Sequence, residues 1–86
     1  MRIQVQADDE GARQLAAAIE RERLTLREAE RELGRAGGYL TRVFDGSISV
    51  DSLRFCRRAK HRFGVRIAVW GVTAATIEAR AARRAS

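Results

Sequence analysis

Residues 25–45 read TLREAERELGRAGGYLTRVFD. Two apolar periodicities stand on either side of a glycine-centred break. Leu26, Ala29 and Leu33 fall three and four residues apart, the spacing of one helix face. Leu40, Val43 and Phe44 repeat it. Between them, Gly34-Arg35-Ala36-Gly37 is short enough to fold the second helix sharply against the first, which is a helix-turn-helix unit. Thr25 and Glu28 form a capping-box pair, each side chain within reach of the other's backbone N–H. Gly34 and Gly46 each follow the last apolar residue of a helix. A positive φ there closes the final turn, and glycine reaches that region without steric penalty.

Upstream, Met1 to Gln6 alternates: Ile3 and Val5 on one side, Arg2, Gln4 and Gln6 on the other. The pattern predicts a short strand, and a strand of five residues needs a partner. Asp8-Asp9-Glu10 opens a helix, since acidic residues favour the positive end of the helix dipole. Ala12, Leu15, Ala16 and Ile19 are its inward stripe, and Glu20 to Arg23 a solvated, charge-balanced end.

Downstream, a polar loop from Ser47 to Ser49 leads to a helix capped by Ser49 or Asp51 and running to about Arg62. Leu53, Cys56, Ala59 and Phe63 face inward; Arg54, Arg57, Arg58, Lys60, His61 and Arg62 form an outer face, most of it solvated, with DNA contact near the helix start as the alternative for part of it. Gly64 ends the helix. Val65 to Val72, VRIAVWGV, alternates and is rich in branched residues, which predicts a second strand. Residues 2–6 are its partner, within one chain or between two. The competing reading is one helix from Val65 to Arg83. Thr73 to Ser86 is alanine-rich and predicts a short basic helix.

Eighty-six residues make one domain, 1–86, and a chain this short buries only about 60% of its unfolded surface. Dimerisation would enlarge its core. The net charge is +6, unevenly spread: residues 1–34 carry net −2 and residues 35–86 net +8. A basic pole that begins at the turn suits a polyanion. Sixteen of the seventeen basic residues are Arg, a bias that a GC-rich coding sequence also produces, so only the asymmetry is informative. Cys56 is the sole cysteine and sits on an apolar helix face, as a buried structural thiol does. With His61 the sole histidine, no zinc ligand set exists. The longest uncharged run, Ile67 to Ile77, is eleven residues against the roughly twenty of a membrane span. Asp8-Asp9-Glu10 argues against a signal peptide. The expectation is a soluble, cytoplasmic protein without cofactor or metal.

Residues 12–65 resemble the lambda-repressor/Cro-type (Xre) DNA-binding domain. The resemblance is carried by Leu24-Thr25, Glu28-Ala29, Leu33-Gly34, Tyr39-Leu40, Arg42-Val43 and Gly46, then Leu53, Cys56, Ala59 and Phe63-Gly64-Val65. Family members usually have a small residue at Glu30, an apolar one at Arg35 and a serine or threonine at Ala36, and the loop from Gly46 to Leu53 is one residue longer than common. The resemblance implies a mainly α fold: a lambda-repressor-like bundle of four to five helices at 12–65. To this the pattern adds short strands at 1–6 and in 66–72 and a C-terminal helix. Antitoxin-like relatives pair a strand after the last helix across a dimer, which would make Ile67, Val69, Trp70 and Ile77 interface residues.

In this family the second helix of the unit lies in the DNA major groove. The positions that match are Gly37, Gly38, Tyr39, Thr41, Arg42 and Asp45. Arg42 suits guanine, because its fork meets O6 and N7 together. Tyr39 suits a thymine methyl or a phosphate; its alternative role is a half-buried wedge against the first helix. Thr41 offers the same contacts more weakly, and Asp45 completes the base-reading set. Gly37 and Gly38 offer backbone N–H groups to a phosphate, or merely wind the first turn loosely. Arg27, Arg35 and Arg54 are the remaining phosphate candidates, with the Arg35 stem alternatively covering the core.

The expected function is that of a sequence-specific transcriptional regulator, a homodimer on an inverted repeat that represses its own or a neighbouring promoter, with a toxin or other protein as a further partner. Two alternatives are a protein-interaction module acting through Trp70 and non-specific nucleic-acid binding. An enzyme is not expected: there is no paired carboxylate in an apolar setting, no nucleophile–base pair and no phosphate-cradling loop.

Overall fold

The computed structural model describes residues 2–50, 52–71 and 79. Among them are four α-helices, α1 (Glu10–Arg21), α2 (Leu26–Glu32), α3 (Tyr39–Asp45) and α4 (Leu53–Phe63), and a single 3-10 turn at Ile67–Val69. The fold is mainly helical, and no strand occurs among the described residues.

Local chemistry sets the helix boundaries. Asp9, extended at φ −143°, accepts the Gly11 N–H at 2.9 Å and starts α1. Ala12, Leu15, Ala16 and Ile19 are buried, as their spacing predicts. The Thr25 capping box forms in full: Thr25 N–H donates to Glu28 Oε1 at 3.0 Å, and Glu28 N–H donates to Thr25 Oγ1 at 3.1 Å. Removing such a cap costs about 1 kcal/mol. Gly34 and Gly46 take φ 72° and 85° after α2 and α3, and Gly64 closes α4 at φ 74°. The turn is two residues longer than its sequence suggests, because Leu33 stands outside α2 as its C-cap and Gly38, at φ 90°, outside α3 as its N-cap.

Two details of α4 differ from expectation. Its cap is Ser52, whose Oγ accepts the Phe55 N–H at 3.3 Å; Ser49 is not used, and Asp51 lies outside the described residues. Leu53 is only half-buried, and Phe55 takes the core position with Cys56, Ala59 and Phe63.

Both expected strands are replaced, for a common reason: neither finds a partner ladder. Residues 2–9 keep the predicted alternation of exposure, with Ile3, Val5 and Ala7 half-buried on the core. The segment lies as an extended arm along the helices. Gln6 and Ala7 N–H both donate to the Phe44 carbonyl, at 2.7 and 3.0 Å, answering a carbonyl left open in the last turn of α3. Ile3 N–H donates to Glu20 Oε1. After Gly64, Val65 enters the core and the chain tightens into the 3-10 turn instead of extending. That turn delivers Trp70 to the interior at 1% exposure. Its ring stands edge-on to Phe55 at 5.6 Å and lies over Gly11, where an added Cβ would overlap it. The single-helix alternative for 65–83 fails from the same turn. The basic helix expected from Thr73 falls almost wholly outside the described residues.

Candidate functional site

The turn and α3 leave most of the expected site residues exposed. Thr41, Arg42 and Asp45 are exposed, while Leu40, Val43 and Phe44 hold the opposite face in the core. Tyr39 is half-buried: its ring meets Phe55 edge-on at 5.3 Å, with the Arg35 guanidinium 4.7 Å from its centroid. Arg35 also lies 5.6 Å from the Phe55 centroid, so it covers aromatic core and remains half-exposed. Each of these two residues therefore packs on the core and keeps a solvent-facing side.

Asp45 accepts the Ser47 N–H at 2.7 Å. Hydrogen bonding from Ser47, through its side chain and then its backbone, holds the Asp45 carboxyl below the usual range, and the Arg42 charge adds to this. Asp45 is thus an anion with one oxygen already engaged. It suits the cytosine amine better than any phosphate.

The start of α3 has a feature that sequence spacing does not reveal. Gly38 has no side chain with which to cap the helix. The acceptor comes instead from α2: Glu30, 4% exposed, takes the Leu40 N–H on Oε2 at 2.8 Å. A carboxylate at the positive end of a helix is favourable. It also removes one of the backbone donors that a phosphate at this end would use. Gly37 and Gly38 face open space, with no atom within 4 Å of an added Cβ, but Gly38 is required by its left-handed φ of 90°. Alanine there is strained, so the glycine is not a merely loose first turn. Glu30 stood out in sequence only as a departure from the small residue usual in the family that residues 12–65 resemble.

Two recesses flank the turn. Arg27, Arg31 and Arg35 rim one of about 220 Å³ with Glu30 and Gly37 in its lining. Arg35, Arg54 and Arg58, with Ser52, line another of about 260 Å³. Arg58, on the outer face of α4, lies against Gly34, where a Cβ would collide with its guanidinium. Arg35 joins the two recesses. Among the described residues, none of these five arginines has a carboxylate within ion-pair distance, nor does Arg42. Arg62 behaves differently. Its guanidinium donates to Glu22 at 2.7 and 2.9 Å and to Glu32 at 3.0 Å, tying the ends of α1 and α2 to α4. Those hydrogen bonds raise the Arg62 pKa and hold Glu22 below the usual carboxylate range.

The expected interface residues do not form a free face. Trp70 is consumed by its own core, and Ile67 and Val69 are half-buried against it; Ile77 lies outside the described residues. Cys56 is fully covered, and burial, with a smaller contribution from the Asp9 charge, pushes its thiol up to about 11. Among the described residues, no helix is long and apolar enough to cross a membrane, and no three His, Cys, Asp or Glu gather as a metal site. Comparison with known proteins yields no match to a family model, a curated protein or a solved structure.

Proposed function

We propose that the chain is a sequence-specific DNA-binding regulator: a cytoplasmic, dimeric repressor of its own or a neighbouring promoter, on a lambda-repressor-like bundle. The observation that carries this reading is the set of arginines around the turn, none paired with a carboxylate among the described residues, beside a helix that exposes Thr41, Arg42 and Asp45. Arginines without a carboxylate partner are suited to phosphates, and a short helix among them to a groove. The resemblance of residues 12–65 supports the same assignment.

In this reading α3 enters the major groove. Arg42 takes guanine O6 and N7, Asp45 accepts from a cytosine amine, and Thr41 and the exposed edge of Tyr39 contact a thymine methyl or a nearby phosphate. Arg27, Arg35 and Arg54 neutralise backbone phosphates, and Arg58 joins them through the recess it shares with the latter two. Two copies about 34 Å apart fit an inverted repeat, and occupancy excludes polymerase. A protein-binding role through Trp70 is disfavoured, because that ring is inside the protomer.

The test is a titration of the chain's own upstream DNA against random duplex across a salt series. The expected result is preference for the upstream sequence, with a log–log salt slope of about −0.9 for each phosphate contacted. Equal affinity for both duplexes would reduce the protein to a non-specific binder. No binding to either would defeat the proposal.

A further inference from the structure

We infer that the chain associates with further copies of itself head to tail, the acidic start of α1 in one protomer seating in a basic recess beside α4 of the next; the inference does not rest on the DNA-binding reading above. Two oppositely charged ends stand on the protomer. At one, Asp8 and Glu10 are exposed and Asp9 is half-buried, with Arg13 as their cation. Arg13 lies 3.0 Å from Glu10 but 3.8 Å from Asp8, whose side chain is fully exposed. Three carboxylates against one guanidinium leave this end negative. At the other end, Arg57, Arg58, His61 and Arg62 line a recess of about 480 Å³ with Glu32. The carboxylates there are already used, because Glu22 and Glu32 both hold Arg62. Arg57 and Arg58 have no carboxylate within ion-pair distance among the described residues. A concave surface thus keeps two uncompensated cations.

The placement of the two ends is what assigns the contact. α1 holds them apart: its 12 residues span about 18 Å. Asp8, Asp9 and Glu10 lie at its start. Glu22, the residue after its last turn, is bound at 2.7 Å to Arg62 in the wall of the recess. The negative and positive patches therefore stand at opposite ends of one helix. They cannot meet within a protomer, but a second copy brings each to the other. Complementary patches at different places on one molecule make a heterologous contact, which adds copies in a row instead of closing as a two-fold dimer does. An exposed ion pair changes an equilibrium constant by about fivefold at most. A contact built from two or three of them is weak, with a dissociation constant on the order of 1 mM, and it is sensitive to salt.

The experiment is sedimentation equilibrium of the full chain without DNA, up to about 1 mM protein, the range such a contact requires. Salt is varied from about 0.01 M to about 1 M, over which the Debye length falls from about 30 Å to about 3 Å. The wild-type mass is expected to rise with concentration past that of a dimer at low salt, and to stop rising at high salt. Two variants reverse one end each: Asp8→Lys/Glu10→Lys keeps the Asp9 cap, and Arg57→Glu/His61→Glu keeps Arg58 and Arg62. Circular dichroism and thermal melting check that both remain folded. Each variant alone carries like charge at both ends and should associate at least about 10-fold more weakly, the loss of two exposed pairs. An equimolar mixture restores opposite charges at every junction and should regain the wild-type growth. A wild-type mass that does not pass that of a dimer at low salt overturns the inference. So does a variant that grows alone as the wild type does, or a mixture that fails to regain growth. None of these outcomes bears on whether α3 reads DNA, which the salt titration of duplexes decides separately.

Discussion

Arg62 and Arg42 sit on regions with opposite electrostatic arrangements. At the Arg62 pole, one guanidinium is held by two carboxylates from two helices, each partner a third to two-fifths exposed. Around Arg42 and the turn, six arginines stand on the surface with no carboxylate partner among the described residues. The one buried carboxylate there, Glu30, engages a backbone N–H. One region uses charge to join helices. The other orients a helix with a hidden acceptor and leaves its cations without carboxylate partners among the described residues. Composition alone, with arginine throughout, does not separate the two.

The largest expected effect comes from breaking the hidden acceptor. Glu30→Ala leaves the Leu40 N–H without a partner in the interior and should cost up to about 3 kcal/mol of unfolding free energy, read by urea denaturation. Glu30→Gln keeps an acceptor oxygen and should recover most of that loss. Equal losses in the two variants would mean that the charge, and not the hydrogen bond, holds α3. Next is Arg42→Ala, with DNA affinity lowered by about 1–3 kcal/mol and a melting midpoint close to wild type. A matching loss of stability would erase the distinction between the two regions.

Gly38→Ala should destabilise by about 1–2 kcal/mol, the cost of a side chain at left-handed φ, even though nothing crowds the site. Stabilisation would show that the turn is not held at its observed φ of 90°. The smallest effect belongs to Arg62→Ala: a modest drop in melting midpoint that shrinks at high salt, with DNA binding unchanged. Its pH dependence is more telling. Arg62 holds the Glu22 carboxyl below its unfolded value, so the folded state gains stability above the unfolded value and loses it as pH falls through the lowered one. The variant should lose that part of the acid limb, measured by thermal melts from neutral pH downward.

How much of this was legible depended on how local each cause was. Asp9, the Thr25–Glu28 box and the glycines at 34, 46 and 64 act within a few residues of themselves, so spacing revealed them. The site set on α3 came from the family resemblance, position by position, and Thr41, Arg42 and Asp45 of it are exposed. Residues 65–71 misled because branched residues signal a strand only where a neighbouring strand exists, and the chain instead tightened to bury Trp70. Nothing near Trp70 in sequence announces the space above Gly11. Arg62 reaches a carboxylate forty residues away, and Glu30 a backbone group ten residues on. Residue spacing carries no sign of either.

The bare backbone of Gly11 receives the indole of Trp70, and this binds two distant codons to one fate. Any side chain at position 11 must evict the ring, so a lineage could enlarge that residue only after trimming position 70. Variation at the two sites should therefore be inherited as a matched pair, and a designer who alters the first helix must rebuild the far end of the domain in the same step.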